Sequence, residues 1–166
     1  MPASDRTQHI ARAKELLSTV WFATMATVNQ DGTPHNTPLL FLYAKDLSRV
    51  YWGSHPHSLH SQNIIRTGQV FFVLYDAFKR GGLYIKATDA HSLEGEDLVM
   101  ALKVHNEVRA SRNQDALSLE YYSGGNPQRM WSATPTNFWV NGVKRDEHGH
   151  VVEDYREEVT AEEMLA

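Results

Sequence analysis

The chain has 166 residues, 42% apolar and 22% charged, with a net charge of −4 and no cysteine. That length supports one domain, residues 1–166, with a real core. The lack of cysteine excludes disulfides, thiolate catalysis and iron–sulfur clusters, and the lack of a basic run argues against nucleic acid as a partner.

No stretch approaches the roughly 20 apolar residues of a membrane span, so no membrane contact is expected. Residues 1–20 carry scattered charges and no unbroken apolar region, unlike a secretory leader. The expected location is cytoplasmic.

In chain order, residues 4–18 predict a helix. Ser4 or Asp5 can cap it, and Ile10, Ala13, Leu16 and Leu17 share one face. Trp21 to Val28 is β-rich and runs into Asn29-Gln30-Asp31-Gly32. Asp-Gly between two apolar runs predicts a hairpin. Pro34 to Tyr43 is the return strand, and Pro38 inside it calls for a sheet edge or a bulge. A turn at Lys45-Asp46 leads to a strand from Val50 to Trp52, completing a three-stranded meander.

Gly53, Ser54 and Pro56 break that strand. Leu59 to Arg66 predicts two helical turns capped by Ser58 and stopped at Thr67 and Gly68. Val70 to Asp76 is a strand, Lys79-Arg80-Gly81-Gly82 a turn, and Leu83 to Ala90 a fifth strand. Leu93 to Asn106 predicts a helix with Leu98, Ala101, Leu102 and His105 inward. Asp115 to Tyr122 reads as a further helix, which makes residues 94–122 a helical insertion. Arg129 to Ala133 and Thr136 to Val143 read as two strands, with Asn141-Gly142 as a turn or bulge. Val151 to Tyr155 reads as a last strand before an acidic end. The fold class is mainly β: a six- to seven-stranded antiparallel barrel with peripheral helices.

The loop after Trp52 places small residues, hydroxyls and imidazoles just ahead of a helix N-terminus. Such a terminus offers unpaired N–H groups and a partial positive charge, which suits a phosphate. The same loop contains His55-x-His57-x-x-His60, a spacing similar to the metallo-β-lactamase signature. That signature has aspartate before its last histidine, where this chain has Leu59. A zinc hydrolase through His55, His57 and His60 is therefore a remote alternative, and no metal is expected. No G-x-S-x-G elbow, phosphate-binding G-x-x-x-x-G-K-[ST] loop or G-x-G-x-x-G fingerprint occurs. The pairs Trp52-Gly53 and Phe138-Trp139 offer either core packing or a surface for a flat ring system.

Taken in order, ATMATVNQDGTPHNTPLLFLY, VYWGSHPHSLHSQNI, GQVFFVLYD and LYIKATDA resemble the pyridoxamine 5′-phosphate oxidase-like, FMN-binding split β-barrel family over roughly residues 18–95. NFWVNGVKRD is similar to its aromatic and basic closing strand. The resemblance implies a Greek-key split barrel and a homodimer with FMN at the interface. It places the flavin ring along Asn36, Thr37, Pro38 and Leu39, and the ribityl chain and phosphate at Trp52, Gly53, Ser54, Ser58 and His60. Trp139 would add an aromatic wall and Arg145 a substrate contact. The chain departs from the true oxidase, which has Arg at Thr37, Lys at Leu42, Lys or Arg at His60 and Gln at Leu83. The phosphate would then rest on hydroxyls, backbone N–H groups and an imidazole.

The implied activity is flavin-mediated electron or hydride transfer to a small molecule, with no side chain marked as an obligatory acid or base. The alternatives are a flavin carrier or sensor without turnover, a deazaflavin-dependent reductase, and a cofactor-free barrel acting through its dimer surface.

Overall fold

The computed structural model describes residues 3–78 and 81–166, with side chains from Asp5 onward. The elements are α1 (Ala3–Thr19), β1 (Phe22–Val28), β2 (Pro34–Leu40), β3 (Leu42–Tyr43), β4 (Val50–Ser54), α2 (Leu59–Thr67), β5 (Val70–Tyr75), β6 (Gly82–Ser92), α3 (Gly95–Ala110), a 3-10 turn (Leu119–Tyr122), β7 (Arg129–Arg145), β8 (Val151–Val159) and α4 (Ala161–Leu165). The side chain of Ser4 and the turn residues Lys79 and Arg80 lie outside the described residues.

Among the described residues all strands belong to one antiparallel sheet in the order β2-β1-β5-β6-β7-β4-β3, with β8 also on β7. The sheet curls until β2 contacts β4. The Asp31-Gly32 hairpin forms, with Gly32 at φ 84°, a conformation that glycine adopts without strain. Pro38 sits on β2, the end of the strand order, where a missing N–H costs no ladder bond.

Among the described residues eight strands form rather than six or seven. The return strand divides at Phe41, so β2 pairs with β1 while β3 pairs with β4. The two strands expected around Pro135 are one, β7. Opposite the Lys86–Ala87 step the register shifts by one residue, because Lys86 faces Asn137 and Ala87 faces Pro135. The extra residue, Thr136, bonds through its hydroxyl to Lys86 O at 3.2 Å, so a bulge absorbs the proline and the strand continues. Asn141 and Gly142 do not turn either. They lie inside β7, paired with Arg156 and Tyr155 of β8, and a Cβ on Gly142 would meet the Tyr155 ring at 2.3 Å. The helix expected from Asp115 shrinks to the 3-10 turn. The Asn106 side chain grips Leu117 from both sides, accepting from its N–H at 2.9 Å and donating to its carbonyl at 3.0 Å, which holds that segment out of a helix. Helix α4 was not legible in the acidic tail. It is fixed by a capping box between Thr160 and Glu163.

The core has two parts, one on each face of β4. Val50, Trp52 and Ser54 point into the barrel, where Trp52 packs with Phe72, Phe41, Met25, Ile85 and Trp131. Tyr51 points outward into a second apolar layer under α3, with Leu42, Leu98, Ala101 and Tyr122. The expected inner face of α3 is the buried one: Leu98, Ala101, Leu102 and His105. Among the described residues no helix is long and apolar enough to cross a membrane.

Candidate functional site

Strand β4 ends at Ser54, and its pleat turns that hydroxyl into the barrel end where α2 begins. Ser58 is the N-cap of α2 and accepts from the Ser61 N–H, as the sequence predicts. Gly68 closes the helix in the left-handed region at φ 63°, returning its N–H to Ile64 O. These two ends fix where the intervening side chains point.

Four of them converge. Ser54 Oγ lies 2.5 Å from His60 Nε2 and 3.2 Å from Ser58 Oγ. Ser58 Oγ lies 3.0 Å from the same imidazole nitrogen and 2.9 Å from Ser61 Oγ. Ser61 Oγ reaches back to Ser54 Oγ at 3.3 Å. Ser54, His60 and Ser61 are buried and Ser58 is half-buried, and the cluster has no carboxylate among its members. Strand β2 joins it from the side: the His35 ring stacks on His60 with centroids 6.4 Å apart, and His35 Nε2 lies 3.0 Å from Thr37 Oγ1. Burial holds the His60 imidazole below its ordinary pKa, and the neighbouring His35 adds to the effect. One turn further along α2, Asn63 ties the helix to β1 by donating to Thr27 Oγ1 and Asn29 Oδ1.

The expected site residues divide by position. Thr37, Ser54, Ser58 and His60 are brought together, and Ser61 and His35 join them. Asn36 and Pro38 lie on the exposed face of β2, and Leu39 is core. Gly53 is on the opposite face of β4, where a Cβ would meet the Tyr122 hydroxyl at 3.0 Å. The Trp52 indole is fully buried, edge-on to Phe72 at 5.5 Å. Trp139 is half-buried on the outer face of the sheet, stacked with Phe71 at 6.2 Å. Arg145 lies at the exposed end of β7 and donates to Gly149 O. The three loop imidazoles do not converge on a metal. His55 Nδ1 accepts from the His57 N–H, while His60 is turned inward to the serines. Among the described residues no group of three or more His, Asp or Glu side chains could share a metal ion.

A second polar contact, unforeseen in the sequence, lies under α3. The Tyr122 hydroxyl and His105 Nδ1 are 3.0 Å apart and buried. Burial, aided by Arg109 and Arg112, pushes His105 down to about 4. Burial, aided by Tyr121, pushes Tyr122 up to about 12. Both are neutral at physiological pH. An unfolded chain takes up this histidine's proton near its ordinary pKa of 6.5, and the folded chain only near 4. Stability is therefore full above 6.5 and falls as the pH drops towards 4, with an expected loss of about 3 kcal/mol. Urea midpoints at neutral pH and near pH 4 should diverge in the wild type and draw closer in His105→Gln.

No protein-family model matches the chain, and no curated protein matches its sequence. Solved structures do. A heme binding protein from Mycobacterium smegmatis aligns with a TM-score of 0.65 at 15% identity, covering 94% of this chain and 59% of its own. This chain thus spans about three fifths of that protein. A Clostridium acetobutylicum protein of the pyridoxinephosphate oxidase family, related to general stress protein 26 of B. subtilis, aligns with a TM-score of 0.60 at 12% identity, covering 90% of this chain and 94% of its own. The chain has the pyridoxine phosphate oxidase-like split-barrel fold. An F420 reductase shares this split barrel with a TM-score of 0.54 at 16% identity, covering 75% of this chain and 94% of its own. At these identities the likeness is one of fold.

Proposed function

We propose that this split barrel is an FMN-binding oxidoreductase that holds the cofactor's phosphate in the Ser54, Ser58, His60 and Ser61 cluster. The observation that carries the reading is the convergence of three hydroxyls and one imidazole at the N-terminus of α2. The donor set fits a phosphate monoester. Hydroxyls can turn their protons outward to anionic oxygens, the first turn of the helix adds N–H groups, and no carboxylate in the cluster opposes the charge. Bound phosphate oxygens would replace the hydroxyls' contacts with one another.

The flavin ring is assigned to the free edge of β2, from Asn36 to Leu39. As the terminal strand, β2 has backbone groups without a ladder partner on that side. FMN supplies the electron chemistry, and the protein binds and orients it. A homodimer fits the outer face of the sheet. Phe22 and Val28 are exposed there, and Phe71, Tyr84 and Trp139 form an aromatic patch capped by the Arg156 guanidinium, 3.9 Å above Tyr84. Trp139 would meet the cofactor from that interface. Arg145, at an exposed hairpin end, is the proposed substrate contact.

The F420 reductase of the same fold favours a deazaflavin coenzyme, bound through the same phosphate grip, as the second reading. Mass spectrometry of the small molecule released on denaturing the purified protein separates them. FMN is expected. A deazaflavin would establish the second reading, and protein that binds neither compound on addition would overturn both. Bleaching of bound FMN by NADPH, with recovery in air, would distinguish an enzyme from a carrier or sensor.

A further inference from the structure

Between the C-terminal end of α1, β3 and α3 lies a cavity of about 750 Å³. That size is within the usual range of small-molecule sites, about 300–1,000 Å³. It shares no lining residue with the hydroxyl cluster. Its floor and sides are apolar, formed by residues such as Leu17, Phe41, Leu42 and Val104.

The polar groups of the wall decide what it would accept. Most are already engaged. Ser18 Oγ donates to Glu15 O at 2.9 Å, Tyr43 OH to Leu17 O at 3.1 Å, and Ser111 Oγ to Val108 O at 2.7 Å. The two acids of the wall are also satisfied: Glu107 pairs with Lys45 at 3.0 Å, and Asp46 accepts from the Ser48 N–H and hydroxyl. Among the described residues, three polar side chains of the wall have no hydrogen-bond or ion-pair partner: the Tyr51 hydroxyl, the Trp21 indole N–H and the Lys103 ammonium. All three can donate, and two can only donate. Tyr51 is 7% exposed, so its unpaired hydroxyl has the cavity as its outlet. Burial raises its pKa, which keeps the O–H proton in place.

We infer that this cavity is a small-molecule site for an organic acid, with an apolar body in the groove and a carboxylate held by Tyr51 and Lys103. The chemistry is complementary: an apolar floor and three unpaired donors, with each of the wall's two acids already holding a partner through one oxygen. The inference stands apart from the flavin reading, because the two sites share no residue.

The test is fluorescence titration of the full protein with anilinonaphthalene sulfonate, followed by displacement with decanoate and, separately, decanol. One saturable site is expected, with decanoate displacing the probe at lower concentration than decanol. Tyr51→Phe should weaken decanoate about tenfold and decanol by much less, because a hydrogen bond to a charged acceptor contributes more than one to a neutral hydroxyl. Lys103→Ala, at an exposed position that tolerates truncation, should weaken decanoate several-fold. Val104→Trp should fill the groove and remove the site, with the thermal midpoint confirming a folded protein. A probe signal that does not saturate would overturn the inference. So would equal displacement by acid and alcohol, or unchanged decanoate affinity in both Tyr51→Phe and Lys103→Ala. None of these readouts depends on flavin content, so their failure leaves the flavin reading standing.

Discussion

Ser54→Ala should lower FMN affinity by about tenfold to a hundredfold while the protein stays folded. A hydrogen bond to a charged group contributes about 1.5–3 kcal/mol, and each 1.4 kcal/mol is tenfold in affinity. Ser54 is the hub of the cluster, within bonding distance of Ser58, His60 and Ser61. Its loss removes one phosphate donor and also the group that orients the imidazole. Ser58 needs a different substitution, because its hydroxyl also caps α2. Alanine there would cost about 1 kcal/mol of helix stability, whereas glycine costs only a few tenths. Ser58→Gly is therefore the cleaner variant, with a similar expected loss of affinity. The double variant should lose less than the product of the singles, because both hydroxyls share the His60 partner. A double variant that binds FMN like the wild type, by titration of flavin fluorescence, would remove the phosphate from this corner.

The same site should bind with a pH dependence of definite sign. In the free protein, burial and His35 keep His60 below its ordinary pKa. A phosphate dianion beside the ring favours the imidazolium and raises that pKa in the complex. Binding therefore takes up a proton, and affinity falls as the pH rises through the interval between the two pKa values. His60→Gln keeps a hydrogen-bonding side chain without the proton. Comparing it with the wild type at each pH cancels the ligand's own ionisation.

Much of this corner is legible in the sequence because its determinants are local. Ser58 caps a helix that starts one residue later, and Gly68 ends it with a φ that few other residues adopt. The alternation that places Thr37 beside His35 was available too, but it needed a contact across 25 residues to matter, since His35 reaches the cluster only by stacking on His60. Trp52 shows what composition leaves open. In Val-Tyr-Trp-Gly-Ser every residue but Gly53 is buried, so hydropathy does not reveal which face is which. Period-two geometry does: Trp52 must share a face with Ser54. Once Ser54 points into the barrel, the indole lies deeper in the core. Pro135 misled for the opposite reason, because a proline that breaks a strand in isolation is accommodated where the partner strand supplies a bulge.

Phe72→Ala should be the most damaging single substitution considered, at about 3–5 kcal/mol of unfolding free energy. Phe72 is fully buried on β5, paired with Met25 on one side and Ile85 on the other. Its ring meets Phe41 at 5.3 Å and Trp52 at 5.5 Å, both edge-on, so truncation removes two aromatic contacts as well as volume. Domains of this kind have only about 5–15 kcal/mol in reserve. The urea midpoint should fall sharply with an unchanged slope, and Phe72→Leu should recover more than half of the loss. The site should suffer less than the fold. Ser54 is held by the β4–β7 ladder and by the Trp131 indole N–H, which donates to its carbonyl at 3.2 Å. Neither restraint passes through Phe72. FMN affinity of the folded Phe72→Ala protein should stay within a few-fold of wild type at low temperature. A large loss of affinity there would mean that the Trp52–Phe72 contact, rather than the ladder, sets the position of the hydroxyl.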